Sequence, residues 1–147
     1  MNSRVRVGSV ELTHPVMAAS GTAGHGAELS AYGALDSIGA VVVKSIAATE
    51  WAGNPAPRLH PIAQGMINAV GLQGSGVNHW IENDLPAMAA VNATAVVSIW
   101  GRSVEEYRDA ARLLNEGLNR SSHQSTVVAV EVNLSCPNMN GHGIFAH

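Results

Sequence analysis

The chain has 147 residues, a length that suits about one domain, with 46% hydrophobic and 13% charged residues, too apolar and too lightly charged for a disordered tail. A net charge of −3 and 4% aromatic residues leave no basic stripe for nucleic acid. One cysteine excludes an internal disulfide framework and any all-cysteine metal or iron–sulfur site, and no apolar run approaches the roughly 20 residues of a membrane span.

Residues 4–7 and 11–12 read as the arms of a short hairpin around Gly8-Ser9. Residues 16–19 read as a strand and residues 28–35 as a short helix. Residues 39–45 hold the run Ala40-Val41-Val42-Val43, which suits a strand buried on both faces. A stretch rich in proline and glycine follows over 47–76; a loop this long inside a domain is usually functional or carries small elements of its own. Residues 77–91 read as a helix that Pro86 kinks or breaks, and residues 94–100 as another β-branched strand.

A helix is expected over 104–118. Ser103 and Glu106 form an S-x-x-E capping box. Val104, Tyr107, Ala111, Leu114 and Leu118 recur at spacings of three and four, giving one apolar face, and Gly117 weakens the helix end. Residues 121–125 are polar loop. Residues 126–134 form a fourth interior-type strand, Val127-Val128-Ala129-Val130-Glu131-Val132. This alternation of strands and helices argues for a parallel sheet, in either a doubly wound open sheet or a (β/α)8 barrel. The glycines Gly21, Gly24 and Gly26 run G-x-x-G-x-G, the wrong order for a dinucleotide fingerprint.

The unusual polar residues follow the C-terminal ends of the expected strands. They are Ala19-Ser20-Gly21, then Lys44-Ser45, then Ser98 with Trp100-Gly101, then the segment from Asn133 to Asn138. In parallel α/β folds that edge holds the site. Lys44 is the only lysine among 8 basic residues. A compact ammonium fits a confined site where a guanidinium fork does not, although an ordinary strand-end lysine reaching solvent has the same placement. Cys136 lies on a loop, where a reactive role outweighs the usual role of a small buried hydrophobe. Asn68, Asn133 and Asn138 each present a donor and an acceptor from one amide, which suits a planar ring carrying N–H and C=O groups. A turn-forming role competes strongly at Asn138, before Met139-Asn140-Gly141, weakly at Asn133, and evenly at Asn68. The histidines, His14, His25, His60, His79, His123, His142 and His147, make no recognisable ligand pair, so no metal is expected.

Several segments together resemble the FMN-containing dihydroorotate dehydrogenases. They are Pro15-Val16-Met17-Ala18-Ala19-Ser20-Gly21, Val43-Lys44-Ser45, Gly53-Asn54-Pro55-Ala56-Pro57-Arg58, Gly65-Met66-Ile67-Asn68-Ala69-Val70-Gly71-Leu72 with Gly76, and Asn133-Leu134-Ser135-Cys136-Pro137-Asn138. The resemblance implies a (β/α)8 TIM barrel with FMN at the C-terminal edge of its strands, of which this chain supplies about the first four β/α units. It implies oxidation of dihydroorotate to orotate in pyrimidine biosynthesis. By the same resemblance Ala19, Ser20, Gly21, Lys44, Ser45, Ser98 and Asn133 meet FMN. Lys44, Asn68, Ala69, Val70, Gly71, Leu72, Asn133 and Asn138 line the substrate pocket, and Cys136 is the base. Ser98 stands where many relatives have asparagine. Cysteine at 136, where the membrane-associated class has serine, places the chain with the soluble, cytoplasmic class, and the N-terminal segment has no apolar extension.

A full barrel needs about 250 residues. The expectation is therefore the N-terminal half of one domain, with the FMN phosphate held by residues beyond His147. A homodimer of the full-length chain and an FAD and iron–sulfur partner subunit are implied with it; NAD or fumarate as final acceptor is not written in these residues. The competing readings are a dihydropyrimidine dehydrogenase-like flavoprotein and a non-catalytic half-barrel binding module. Asn138 after Pro137 favours orotate over the first.

Overall fold

The structure is a computed structural model that describes residues 4–138. The expected turn at Met139-Asn140-Gly141, and His142 and His147, lie outside the described residues.

Apolar, mostly valine-rich runs, interrupted only by Ser98 and Glu131, assemble as a parallel sheet. Its strands are β3 (Met17–Ala18), β4 (Ala40–Val42), β7 (Ala95–Ile99) and β8 (Val127–Val132), in the order β3-β4-β7-β8. Each strand lies beside the next barrel-type strand in sequence, and all three pairings are parallel. A separate antiparallel hairpin, β1 (Val5–Val7) and β2 (Val10–Leu12), precedes the sheet as the sequence indicates.

Alternation along the strands sorts their side chains onto two faces. Val41, Val43, Ala95, Val97 and Ile99 are buried in one cluster with Trp80, Leu85, Met88, Ala110 and Leu114 from the helices. Burial of each large side chain of this kind stabilises by roughly 1.5–3 kcal/mol. On the opposite face, register pairs Val42 with Val96, Val96 with Ala129, and Ser98 with Glu131. At the far edge, Val130 and Val132 of β8 are half-exposed.

The helix after the long loop does not break at Pro86. It runs as α1 (Val77–His79), a π-helical turn (Trp80–Asp84) and α2 (Leu85–Ala90), with proline at the start of α2. In an α-helix the proline ring would meet the carbonyl four residues back, and the wider turn before Pro86 relieves that clash. The expected helix over 28–35 is instead two short 3-10 turns, Ala27–Ala31 and Leu35–Ser37. The long loop holds its own antiparallel hairpin, β5 (Leu59–Ile62) and β6 (Gly65–Asn68). The expected strand over 126–134 begins as a 3-10 turn, Gln124–Thr126, and is a strand only from Val127.

Helix α3 (Val104–Arg120) crosses from β7 to β8. Ser103 caps it by accepting from the Glu106 backbone N–H at 3.3 Å. The Glu106 carboxylate does not close the box on Ser103; it accepts from the Arg102 backbone N–H at 2.6 Å and from its guanidinium. The buried face is Ala110, Leu114 and Gly117, while Val104 is 54% exposed and Ala111 lies outward. The expected face is thus turned by one position, because the two small residues allow close packing that a search for large apolar residues misses. Gly117 does not weaken the end: a Cβ there would come 2.1 Å from the tip of Ile81, so glycine is what lets α3 pack on the π-helical turn.

Gly39, just before β4, is held as tightly against backbone. A Cβ there would lie 2.2 Å from the His14 carbonyl oxygen, and the Gly39 N–H donates to Val16 O at 2.7 Å. Gly39→Ala is expected to lower stability by about 1–3 kcal/mol through overpacking. Gly33→Ala, where nothing lies within 4 Å of the new carbon, is expected to be neutral or to stabilise by up to about 1 kcal/mol. Chemical denaturation of the two variants checks this pair, and equal midpoints would refute it.

Candidate functional site

The polar residues flagged by the sequence collect at the C-terminal edge of the parallel sheet. Backbone bonds carry the edge beyond the strands: Ile46 N–H donates to Ser98 O at 2.9 Å, Trp100 N–H to Ile46 O at 3.1 Å, and Asn133 N–H to Ile99 O at 2.9 Å. Ser45, Ser98 and Asn133 therefore stand side by side on neighbouring strands. Ser45 and Ser98 are buried, and their hydroxyls share a hydrogen bond of 2.8 Å. The Ser98 hydroxyl reaches Glu131 Oε1 at 2.7 Å. The Asn133 side-chain N–H donates to Ser45 Oγ at 2.9 Å. Ser98, expected at the surface of a cofactor, is fully buried with its hydroxyl engaged on both sides.

Lys44 comes next to this row. It is half-buried, its backbone N–H donates to Gly24 O at 2.8 Å, and its ammonium has no hydrogen bond or ion pair among the described residues. Ala19, Ser20 and Gly21 follow β3. The chain turns there with Thr22 Oγ1 donating to Ala19 O at 2.7 Å, and Gly21 has φ +81° with open space where a Cβ would stand.

The second half of the site is built by loops. Gly71 and Leu72 both have positive φ, 73° and 56°, and form a tight turn after Asn68, Ala69 and Val70. A side chain at Gly71 would strike the Asn54 amide at 2.7 Å, and one at Gly53 would strike Val70 O at 2.4 Å. Asn54 holds two distant segments together: its side-chain N–H groups donate to Ala69 O at 2.9 Å and to Asn138 O at 2.8 Å. Asn138 in turn donates to Asn68 O at 3.3 Å. Trp51 Nε1 donates to Gly71 O at 2.8 Å, which fixes the same turn from the other side.

Cys136 lies on the loop after β8 but is 8% exposed, packed with Leu72 and Trp100 and against Trp51 and Tyr107. The loop position matches the sequence; the burial comes from Leu72, which is distant in the chain. The Tyr107 hydroxyl donates to the Asn133 backbone carbonyl. Burial holds that hydroxyl above the usual tyrosine range, a backbone hydrogen bond at Gly101 lowers it, and the neighbouring Cys136 raises it. Tyr107 is thus a protonated donor at neutral pH. Outside this cluster, Arg102 stacks 4.7 Å over the Trp51 ring and pairs with Glu106, which holds the Glu106 carboxyl below its usual range.

Sequence reasoning missed three contributors. Asn54 lies in a proline-rich segment, where an ordinary turn-forming role hides its clamp. Tyr107 falls within the apolar periodicity of its helix, which masks its hydroxyl. Glu131 lies in a strand run, where a lone carboxylate among valines is a legible signal.

The sheet, with its polar residues gathered at the strand C-termini, defines part of a parallel β/α barrel whose candidate site lies at the customary edge. A family model described as dihydroorotate dehydrogenase matches residues 3–147, and the chain belongs to that family. It is 41% identical over 144 residues to dihydroorotate dehydrogenase B (NAD(+)), catalytic subunit, of Alkaliphilus metalliredigens, covering 98% of this chain and 45% of that protein. It is 40% identical over 140 residues to the protein of the same name from Geobacter metallireducens, covering 95% of this chain and 44% of that one. The chain spans less than half the length of these relatives. A crystal structure of DHODH from Eimeria tenella in complex with ferulenol matches 96% of this chain and 39% of that chain, with TM-score 0.63 and 23% identity, a likeness of fold. The resemblance read from five short segments, and the barrel class that came with it, are borne out.

Proposed function

We propose that this chain forms the N-terminal half of a single barrel domain that oxidises dihydroorotate to orotate with FMN as hydride acceptor. One observation carries the reading. The turn at Asn68, Ala69, Val70, Gly71 and Leu72 and the loop from Asn133 to Asn138, distant in sequence, are clamped together by Asn54 beside the edge that bears Lys44 and Ser45. That arrangement gathers three planar amides, one ammonium unpaired among the described residues, and one thiol.

The residues present fit a flavin. Lys44 is a half-buried cation without a counter-charge among the described residues, suited to electron-rich ring atoms or a carboxylate. Ala19 and Gly21 are exposed, and nothing lies within 4 Å of where a Cβ at Gly21 would stand. These residues, with Lys44, Ser45 and Asn133, would hold the ring. Ser98, being fully buried, supports Ser45 and does not touch the ring itself. FMN when bound supplies the acceptor for the hydride leaving C6 of dihydroorotate.

The chain's own residues do the rest. Cys136 takes the C5 proton, so the substrate loses one proton and one hydride and becomes the C5–C6 alkene. Its apolar neighbours Leu72 and Trp100 keep water from the thiol. Asn68, Asn133 and Asn138 orient the pyrimidine through its N–H and C=O groups, and Lys44 attracts its carboxylate.

Two relatives are named as B-type NAD(+) catalytic subunits. Such a name supports a separate electron-transfer subunit, and we assign FAD and an iron–sulfur cluster to that partner. The same reading makes the complete chain a cytoplasmic homodimer. Among the described residues no helix is long and apolar enough to cross a membrane.

The test is an anaerobic titration of the flavin-loaded holoenzyme. Dihydroorotate is expected to bleach the flavin absorbance, and dihydrouracil, which lacks the carboxylate, to leave it unchanged. Bleaching by dihydrouracil alone would assign the chain to a dihydropyrimidine oxidoreductase. No bleaching by either would favour a non-catalytic binding module.

A further inference from the structure

We infer that Glu131 is a positioning residue: it ends a one-way hydrogen-bond chain that anchors the N–H side of the Asn133 amide where it meets the ligand. The inference rests on the proposed reading for the identity of that ligand, but the chain itself follows from donor and acceptor counting.

The Asn133 amide is pinned at both ends. Ser135 backbone N–H, which can only donate, lies 3.2 Å from Asn133 Oδ1. Turning the amide over would set two donors face to face, so Oδ1 stays on Ser135 and the NH2 group faces Ser45. Ser45 Oγ therefore accepts from Asn133 at 2.9 Å. A hydroxyl has one proton, and at Ser45 it points to Ser98 Oγ, 2.8 Å away. The Ser98 proton then has one place to go, Glu131 Oε1 at 2.7 Å. An ionised carboxylate only accepts, so it sets the direction of every link.

The consequence reaches the site. With one lone pair of Oδ1 taken by Ser135 and one N–H held by Ser45, Asn133 presents its second side-chain N–H in a fixed direction. That N–H meets a carbonyl or carboxylate oxygen of the ligand. Ser45 and Ser98 are 3% and 0% exposed, so no water replaces a lost link without rearrangement. Removal of Glu131 leaves the Ser98 proton without its acceptor, so Ser98 can turn that proton on Ser45, and the row no longer holds Ser45 fixed as the acceptor for Asn133.

The experiment is a cycle of Ser45→Ala, Glu131→Ala and the double variant, with Glu131→Gln as the conservative replacement, in the flavin-loaded holoenzyme. Orotate affinity is read by the flavin spectrum, and stability by the denaturant midpoint. Each alanine variant is expected to weaken orotate about tenfold, the scale of one hydrogen bond to a misoriented buried group. The double variant is also expected to weaken it about tenfold, because one chain breaks only once. Glu131→Gln, whose carbonyl still accepts from Ser98, is expected to restore affinity to within about threefold. A hundredfold loss in the double variant, or glutamine as damaging as alanine, would overturn the inference. If the unaltered protein binds no orotate, the functional reading fails. The midpoints then decide the relay alone: equal losses in single and double variants support it, and additive losses refute it.

Discussion

Cys136→Ser is expected to keep FMN and orotate bound in the holoenzyme and to lose about 10²–10⁴-fold in turnover near pH 7, the usual contribution of a general base. The two side chains are nearly the same size, so the packing against Leu72 and Trp100 survives. What changes is the acidity: a neutral hydroxyl takes a carbon-bound proton poorly at that pH. Turnover of the serine variant should therefore climb as pH is raised. Cys136→Ala, with no base at all, should show no such climb. Steady-state assays from pH 6 to pH 10 check both statements. Near-normal turnover of the serine variant at pH 7 would remove Cys136 from the mechanism.

Lys44→Ala is expected to lower kcat/KM for dihydroorotate by about 10² or more, since truncating one member of a desolvated charge contact costs about 2–5 kcal/mol. Lys44→Arg should not restore it. The Lys44 backbone is fixed to Gly24 O at 2.8 Å beside the buried Val43 and Ser45, so the side chain leaves the sheet in one direction. A guanidinium fork is wider and hydrated differently from an ammonium. Full activity of Lys44→Arg would mean that charge alone matters and that the site is not confined there. A wild-type flavin spectrum with lost turnover would place the effect on the substrate.

The strands of the sheet were legible because β-branched runs bounded by turn residues have few other homes. The same reading placed Lys44, Ser45 and Asn133 on one edge, since that edge is where each run ends. The hairpin of β5 and β6 was not legible. Its two-residue turn, Ala63-Gln64, lacks the glycine or asparagine that marks such turns, Pro61 argues against a strand, and all eight strand residues are exposed. The phase of α3 failed for a different reason: Ala110 and Gly117 face inward because they are small, and periodicity weights size. The burial of Cys136 and the task of Glu131 depend on Leu72, Ser98 and Ser45, partners that no local window contains.

Asn54 bonds main-chain carbonyls at Ala69 and Asn138, not side chains. Any residue offers the same carbonyl, so the clamp is indifferent to which side chains stand at those positions. Spacing between the two pocket walls is thereby separated from the chemistry the walls present. Substitutions at 69 or 138 can retune what the pocket accepts while its width stays fixed. A change at Asn54 itself would release both walls together, altering every ligand's fit by a similar factor.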